Sequence, residues 1–349
     1  MNQETSVINR YGNAAKKYEE NLCCPVEYDT KYLKIIPEEI IEKDYGCGDP
    51  LGKIKEGDTV LDLGSGGGKV PYIVSQIVGE TGKVIGIDMN DDMLDLAKKY
   101  QNQMIERIGY DNVIFHKGKI QNLKLNLEEL DKYIQEHPAN NLDTYQSINQ
   151  YINYLENEMT MIKDNSIDVV ISNCVLNLVS TEEKEALFKE IYRVLKEGGK
   201  AVISDIVSNV KVPEKLRQDE NLWSGCYSGA IQEKSFIEHF ENVGFYGVKI
   251  DKREKTWTTI ENIDFRSMTI IAHKGRPCID KGQSVIYKGP FKHIEDDDDH
   301  IFERGERTFV CEKTFNILQQ NPYKGVFEFI NENEEAIDLE KCCDTSCGC

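Results

Sequence analysis

Eleven cysteines are spread unevenly over the 349 residues of this chain, and three of them stand where a thiol can meet a ligand. Cys47 lies in "YGCGDP", a glycine-rich turn ahead of the first apolar strand. Cys174 lies in "ISNCVLNL", at the carboxyl end of another strand, and the ligand crevice of an open α/β sheet is found outside those ends. Cys226 lies in "WSGCYSGAI", among glycines that let its backbone come close to a neighbour. Soft thiolates favour soft or borderline acceptors, so three converging thiols suggest a trigonal site for a thiophilic element. Structural zinc usually takes four ligands with short C-x₂₋₄-C spacing, and none of the three has such a partner. No metal ion is therefore expected. Cys278 and Cys311 read as structural thiols, each acting as a small hydrophobe.

The elements that must position these thiols alternate. "TVLDLG" is a short apolar strand, followed by a glycine turn and the helical "VPYIVSQIVGETG". "KVIGIDM" is a second strand, and "DDMLDLAKKYQNQMIERIG" predicts one helix with acids in its first turn. "NVIFHKG" and "SIDVVISN" follow as strands. "TEEKEALFKEIYRVLKEGG" is a helix and "KAVISDI" a fifth strand. This rhythm predicts a parallel, doubly wound sheet. The spacing assigns residues 1–50 to an N-terminal cysteine-bearing segment and 51–210 to the nucleotide-binding core, with a helical insertion at about 122–162. Residues 211–276 form a substrate-binding subdomain with an antiparallel "YGVKIDKREKTWTTI". A small α+β domain over 277–333 and an acidic, cysteine-rich tail over 334–349 complete the chain.

The loop "LDLGSGGGKV" follows a strand and opens a helix, so Gly64, Gly66 and Gly68 can turn tightly and approach a ligand. A dinucleotide fingerprint needs G-x-G-x-x-G, but its last position here is Lys69. Asp88 of "GIDM" ends the second strand, where a carboxylate can accept hydrogen bonds from ribose hydroxyls. S-adenosylmethionine and NAD sites share that acid. The combination of "VLDLGSGGG", "GIDMNDDML" and "LKEGGKAVISD" resembles class I S-adenosylmethionine-dependent methyltransferases, which implies a Rossmann-like doubly wound sheet and that cofactor.

"YGCG", "VLDLGSG", "VIGIDM", "ISNCVLNLV", "YRVLKEGGKAVISDI" and "LWSGCYSGAI" occur in the order seen in the arsenite methyltransferase family, and this resemblance spans nearly the whole chain. It implies that Cys47, Cys174 and Cys226 are the thiolates that hold trivalent arsenic, and that Cys23 or Cys24 takes part in disulfide exchange with Cys47. It also implies a cofactor site at Tyr45, Gly64, Asp88, Met89, Ile120, Asn173 and Val175, to which we add Asp62, Ser65, Gly66 and Gln121. The partners implied are a trivalent arsenical or its thiol conjugates and a thiol reductant of thioredoxin or glutathione type. The chain departs from the family in "GSGGGKV", where an arginine–aspartate pair is common, and in Gln121, where an acid is usual.

The net charge of −19 argues against nucleic acid, whose phosphates need clustered Lys and Arg. No apolar run approaches the roughly 18 residues of a membrane span, and "MNQETSVINR" does not read as a signal peptide, so a cytoplasmic protein is expected. No acid–base constellation stands out, because His116, His137, His239 and His300 have no evident partners in sequence. The run Asp296 to Asp299 lacks EF-hand spacing and reads as a solvated loop. The expected function is methyl transfer to trivalent arsenic on three thiolates with thiol–disulfide recycling. Two rivals stay open: a methyltransferase of an organic acceptor with structural cysteines, and a non-catalytic thiol-rich protein that binds soft metals.

Overall fold

The computed structural model describes residues 3–19, 22, 26, 28–275 and 278–331. Cys23, Cys24 and the tail cysteines Cys342, Cys343, Cys347 and Cys349 lie outside the described residues. The chain divides into two units, Met1–Lys274 and Gly275–Cys349.

In the first unit, helix α1 (Gln3–Lys16) and the short helices α2 (Thr30–Leu33) and α3 (Glu38–Glu42) precede strand β1 (Thr59–Leu63). Val60, Leu61 and Leu63 are fully buried, because β1 sits between β2 (Lys83–Asp88) and β4 (Ile167–Asn173), parallel to both. A strand covered on both faces reads as a near-continuous apolar run. Strand β3 (Val113–Lys117) lies outside β2, and β5 (Leu195–Ser208) pairs with β4. The sheet order is β3-β2-β1-β4-β5-β9-β7, in which β9 (Ile263–Lys274) alone is reversed, antiparallel to both β5 and β7 (Phe245–Arg253). The order reverses between β1 and β4, so the crevice beyond their carboxyl ends is the expected ligand site.

Helix α4 (Lys69–Val78) starts from the glycine loop and stops at Gly79. The single helix expected over "DDMLDLAKKYQNQMIERIG" is two helices, α5 (Asp91–Lys99) and α6 (Gln101–Ile108), which break at Tyr100. The Tyr100 hydroxyl donates to Glu39, so a tertiary bond decides what the periodicity does not show. Between β3 and β4 the chain forms α7 (Leu127–Glu136) and α8 (Leu142–Asn157), each capped by an asparagine side chain. Tyr133 of α7 stacks on Tyr151 of α8, with ring centroids 4.0 Å apart. Helix α9 (Lys184–Val194) ends before "LKEGG", which is drawn into β5. Helices α10 (Glu214–Arg217) and α11 (Glu220–Ser224) lead to the short strand β6 (Ile231–Gln232), which pairs with β5. Helix α12 (Glu233–Glu241) and strand β8 (Thr258–Ile260) complete the unit. No described helix is long and apolar enough to cross a membrane.

The second unit has its own core of Val285, Tyr287, Phe302, Val310, Phe315, Leu318 and Phe327. Strand β10 (Gln283–Tyr287) is flanked by β13 (Arg307–Phe309) and β14 (Phe327–Asn331), beside a hairpin of β11 (His293–Glu295) and β12 (Ile301–Glu303) and helix α13 (Glu312–Leu318). His300 does have a partner here: its Nδ1 lies 2.9 Å from Asp296 Oδ2, and that bond raises the imidazole pKa. Cys311 is buried and Cys278 half-buried.

Candidate active site

The carboxyl ends of β1, β2 and β4 open onto a cavity of about 330 Å³. Gly64, Ser65 and Gly66 line it together with Asp62, Asp88, Met89, Ile120 and Gln121. Tyr45, Asn173 and Val175 line it as well, so the positions nominated from sequence for the cofactor share one space. The Asp88 carboxylate accepts the Gly66 N–H at 2.9 Å and the Asn90 N–H at 2.9 Å. It is thereby fixed at the mouth of the loop, and burial raises its pKa. The cap of α5 is Asn90, whose side chain accepts from Met93 N–H, which leaves Asp88 free of that task. Helix α1 contributes Gln3, Glu4, Val7, Ile8 and Tyr11 to the lining. Lys69, which breaks the dinucleotide pattern, is buried in an ion pair with Asp44 at 3.0 Å. A carboxylate and a partly apolar lining suit a nucleoside with a sulfonium tail, and the loop, whose N–H groups at Gly64, Ser65, Gly66 and Gly68 are already paired within the chain, offers no pyrophosphate cradle.

Cys174 lines the same cavity, and the other two thiols pack in one cluster with Cys174 from distant parts of the chain. Cys47, Cys174 and Cys226 are all buried in one apolar cluster with Ile206, Val212, Leu216, Ala230 and Phe265. The sulfurs of Cys47 and Cys174 and a carboxylate oxygen of Asp205 lie within 4.8 Å of one another. Cys226 Sγ donates to the Cys174 carbonyl oxygen at 3.2 Å, and Tyr11 Oη lies 3.8 Å from that sulfur. Cys226 thus stands one hydrogen bond outside the tightest set. Cys174 and Cys226 both have left-handed backbones, with φ of 65° and 66°. Such a conformation is uncommon for residues with a side chain and collects at functional sites.

The turn that carries Cys47 is held from β4. Asn173 Oδ1 accepts the N–H groups of Cys47 at 2.7 Å and Gly48 at 3.0 Å, while its Nδ2 donates to the Gly48 carbonyl at 2.7 Å and to Tyr28 Oη at 3.0 Å. A Cβ on Gly46 would sit 2.3 Å from Asn173 Nδ2, so only glycine permits this approach. Burial pushes the Cys47 thiol pKa up, opposed by its hydrogen bond with Cys174.

Sequence reasoning missed the polar groups beneath the thiols. Asp205 was legible only as the acid near the end of "KAVISDI", yet it is 1% exposed. Its two oxygens accept from the N–H groups of Leu176, Asn177 and Ile206 and from Asn177 Nδ2. Lys184 is 4% exposed at the start of α9. Burial pushes the Asp205 pKa up and the Lys184 pKa down, while their opposite charges favour the ionised forms. An acid that close to the fifth strand's end was the one available signal for Asp205. Lys184 sits in an ordinary charged helical pattern and gave none.

A methyltransferase-domain family model matches residues 54–162 and 141–263, and a model described as a domain of unknown function (DUF8838) matches residues 274–348. The arsenite methyltransferase of Mus musculus is 30% identical over 93% of this chain and 82% of its own length. This chain belongs to the arsenite methyltransferase family. The arsenite methyltransferase of Aquipseudomonas alcaligenes is 29% identical over 97% of this chain and 94% of its own. Among solved structures, an arsenic(III) S-adenosylmethionine methyltransferase from Chlamydomonas reinhardtii superposes with a TM-score of 0.60 at 27% identity, covering 88% of this chain and 97% of that one. The family places the first unit's sheet in the class I methyltransferase fold.

Proposed function

We propose that this chain moves the methyl group of S-adenosylmethionine to trivalent arsenic held by the thiolates of Cys47, Cys174 and Cys226. One observation carries the reading: thiols from a turn, a strand end and a distant loop gather in one buried cluster, and Cys174 also faces the glycine-loop cavity. Asp88, Gly66, Tyr45 and Asn173 are the residues that would hold the cofactor. Bound there, S-adenosylmethionine supplies an electrophilic methyl group, for which the lone pair of the arsenic substrate is the acceptor.

The chain's own contribution is placement. Three thiolates displace the hydroxides or thiol ligands of the incoming arsenical and leave its lone pair on the open face of a pyramid. Asn173 fixes Cys47 relative to Cys174, and the apolar cluster keeps water from the metalloid. Holding an acceptor in near-attack geometry removes entropic cost from the barrier. No general base is required, because arsenic(III) has no proton to lose. Methylation formally oxidises the metalloid by two electrons. Oxidation of the Cys47 thiol and that of Cys23 or Cys24 to a disulfide would return those two electrons with release of two protons, and a cytoplasmic thiol reductant of thioredoxin or glutathione type would reduce the disulfide back to thiols.

The test compares Cys47→Ser, Cys174→Ser and Cys226→Ser with the native protein. Each variant is expected to bind S-adenosylmethionine by calorimetry and to lose arsenite methylation. Methylation of arsenite by Cys174→Ser at the native rate would refute the reading and favour an organic acceptor.

A further inference from the structure

Beside the thiols lies a nearly fully buried polar network whose side chains do not line the cofactor cavity. Asn177 is 1% exposed and follows Cys174 by three residues. Its Nδ2 donates to Asp205 Oδ1 at 2.7 Å, to the Ile206 carbonyl at 2.6 Å and to the Cys226 carbonyl at 3.3 Å. Lys184 Nζ donates to the carbonyls of Leu176 and Gly229, each at 3.1 Å. Leu176 belongs to the loop of Cys174, and Gly229 to the loop of Cys226. Two side chains therefore each bridge the same two loops. The backbones touch as well: a Cβ on Gly229 would lie 2.0 Å from the Asn177 carbonyl oxygen. Asn177, Lys184, Asp205 and Gly229 are absent from the cavity lining.

Burying a lysine and an aspartate in an apolar core is costly, and well-packed hydrophobic residues often serve stability as well or better. The network is therefore weak evidence of added stability. What it fixes is the spacing between two cysteines whose backbones are both left-handed, a conformation that surrounding structure must impose. Ligand-orienting partners of this kind are a recurring part of metal sites.

We infer that Asn177, Lys184 and Asp205 are positioning residues for the arsenic site, clamping the Cys174 loop to the Cys226 loop and so setting the spacing of two of the three thiols. This rests on the reading of those cysteines as arsenic ligands. The network sets the acceptor side of the reaction alone, since its members stand apart from the donor's cavity.

The experiment uses the full chain with Lys184→Met and Asn177→Ala. S-adenosylmethionine affinity is measured by calorimetry, and arsenite binding by the ultraviolet absorption of arsenic–thiolate bonds. Both variants are expected to bind the cofactor within about twofold of native, while arsenite affinity and methylation fall by about 10- to 100-fold. If Lys184→Met fails to fold, Asn177→Ala, which keeps the lysine, decides. Native arsenite affinity and turnover in a variant that still binds the cofactor would overturn the inference. So would a parallel loss of cofactor and arsenite binding in both, which marks a purely structural network. Cys226→Ser run alongside separates the two levels: if it methylates arsenite normally the parent reading fails, and if it is inactive while both network variants are normal only the clamp fails.

Discussion

The backbone N–H of Cys47 donates to the side-chain oxygen of Asn173 at 2.7 Å, so the residue just before Cys174 holds the first thiol's turn against the second thiol's strand. Asn173→Ala removes this acceptor and leaves the N–H groups of Cys47 and Gly48 unpaired in a mostly buried turn. An unsatisfied buried polar group costs about 1–3 kcal/mol, so the melting temperature should fall. Arsenite methylation should fall further, by about 10- to 100-fold, because Cys47 loses its place relative to Cys174. A thermal melt together with a methylation assay checks both; a destabilised enzyme with native turnover would contradict the role given to Asn173.

The second prediction concerns Lys69 and Asp44, an ion pair at 3.0 Å with side chains 6% and 16% exposed. Lys69 also lies 4.8 Å from the ring centroid of Tyr28. Burial raises the Asp44 pKa and the lysine's charge opposes it. Lys69→Met leaves that carboxylate without its partner, and breaking a buried pair from one side costs about 3–5 kcal/mol. The double variant Lys69→Met, Asp44→Asn should recover most of the loss, because no lone charge remains. Urea midpoints for the two single variants and the double form the cycle. Additive losses would show that the pair is not coupled.

What could be read from sequence was whatever is written locally or carried by motif. The strand, glycine loop and helix around Gly64 to Lys69 lie next to one another in the chain, and their periodicity gave both the element order and Asp88 as the acid facing the loop. The meeting of Cys47, Cys174 and Cys226 is non-local; their places at a strand end and in glycine-rich turns suggested it, and the motifs that resemble a family made it specific. Lys184 was invisible for a different reason. A buried lysine and a surface lysine are the same letter in "TEEKEALF", and burial is decided by which loops fold over the helix. The break at Tyr100 is similar: the apolar period runs on through it, but its hydroxyl is claimed by Glu39.

Asp88→Ala should weaken S-adenosylmethionine binding by at least about tenfold, equivalent to roughly 1.4 kcal/mol. Two effects add. The nucleoside loses an acceptor for its hydroxyls, and the Gly66 and Asn90 N–H groups lose the carboxylate that now organises the loop. Asp88→Asn separates them, because an amide keeps one oxygen for a loop N–H but presents N–H donors where the carboxylate accepted. Calorimetry on both variants with the cofactor alone measures this, without arsenic. Native affinity in Asp88→Ala would show that the loop holds its ligand by backbone alone.

Acid sensitivity is the last expectation, and its origin lies in the sheet. His273 on β9 pairs with Lys200 on β5. Burial first, and then the charges of Lys200 and Lys249, lower its pKa to about 4. In the unfolded chain the ring titrates near its ordinary value of about 6.5. Between pH 4 and 6.5 the unfolded state therefore binds the extra proton, so stability rises with pH across that window and flattens above it. Asp205 works in the opposite sense, since burial raises its carboxylate pKa and stability from that group falls as pH rises past the ordinary carboxylate range. The whole profile is thus a sum of opposing parts, and the difference between native protein and His273→Gln isolates one of them. Across urea midpoints at pH 7, 6, 5 and 4, acidification should lower the native midpoint by more than that of His273→Gln. Parallel curves across the window would mean that His273 has the same proton affinity folded and unfolded.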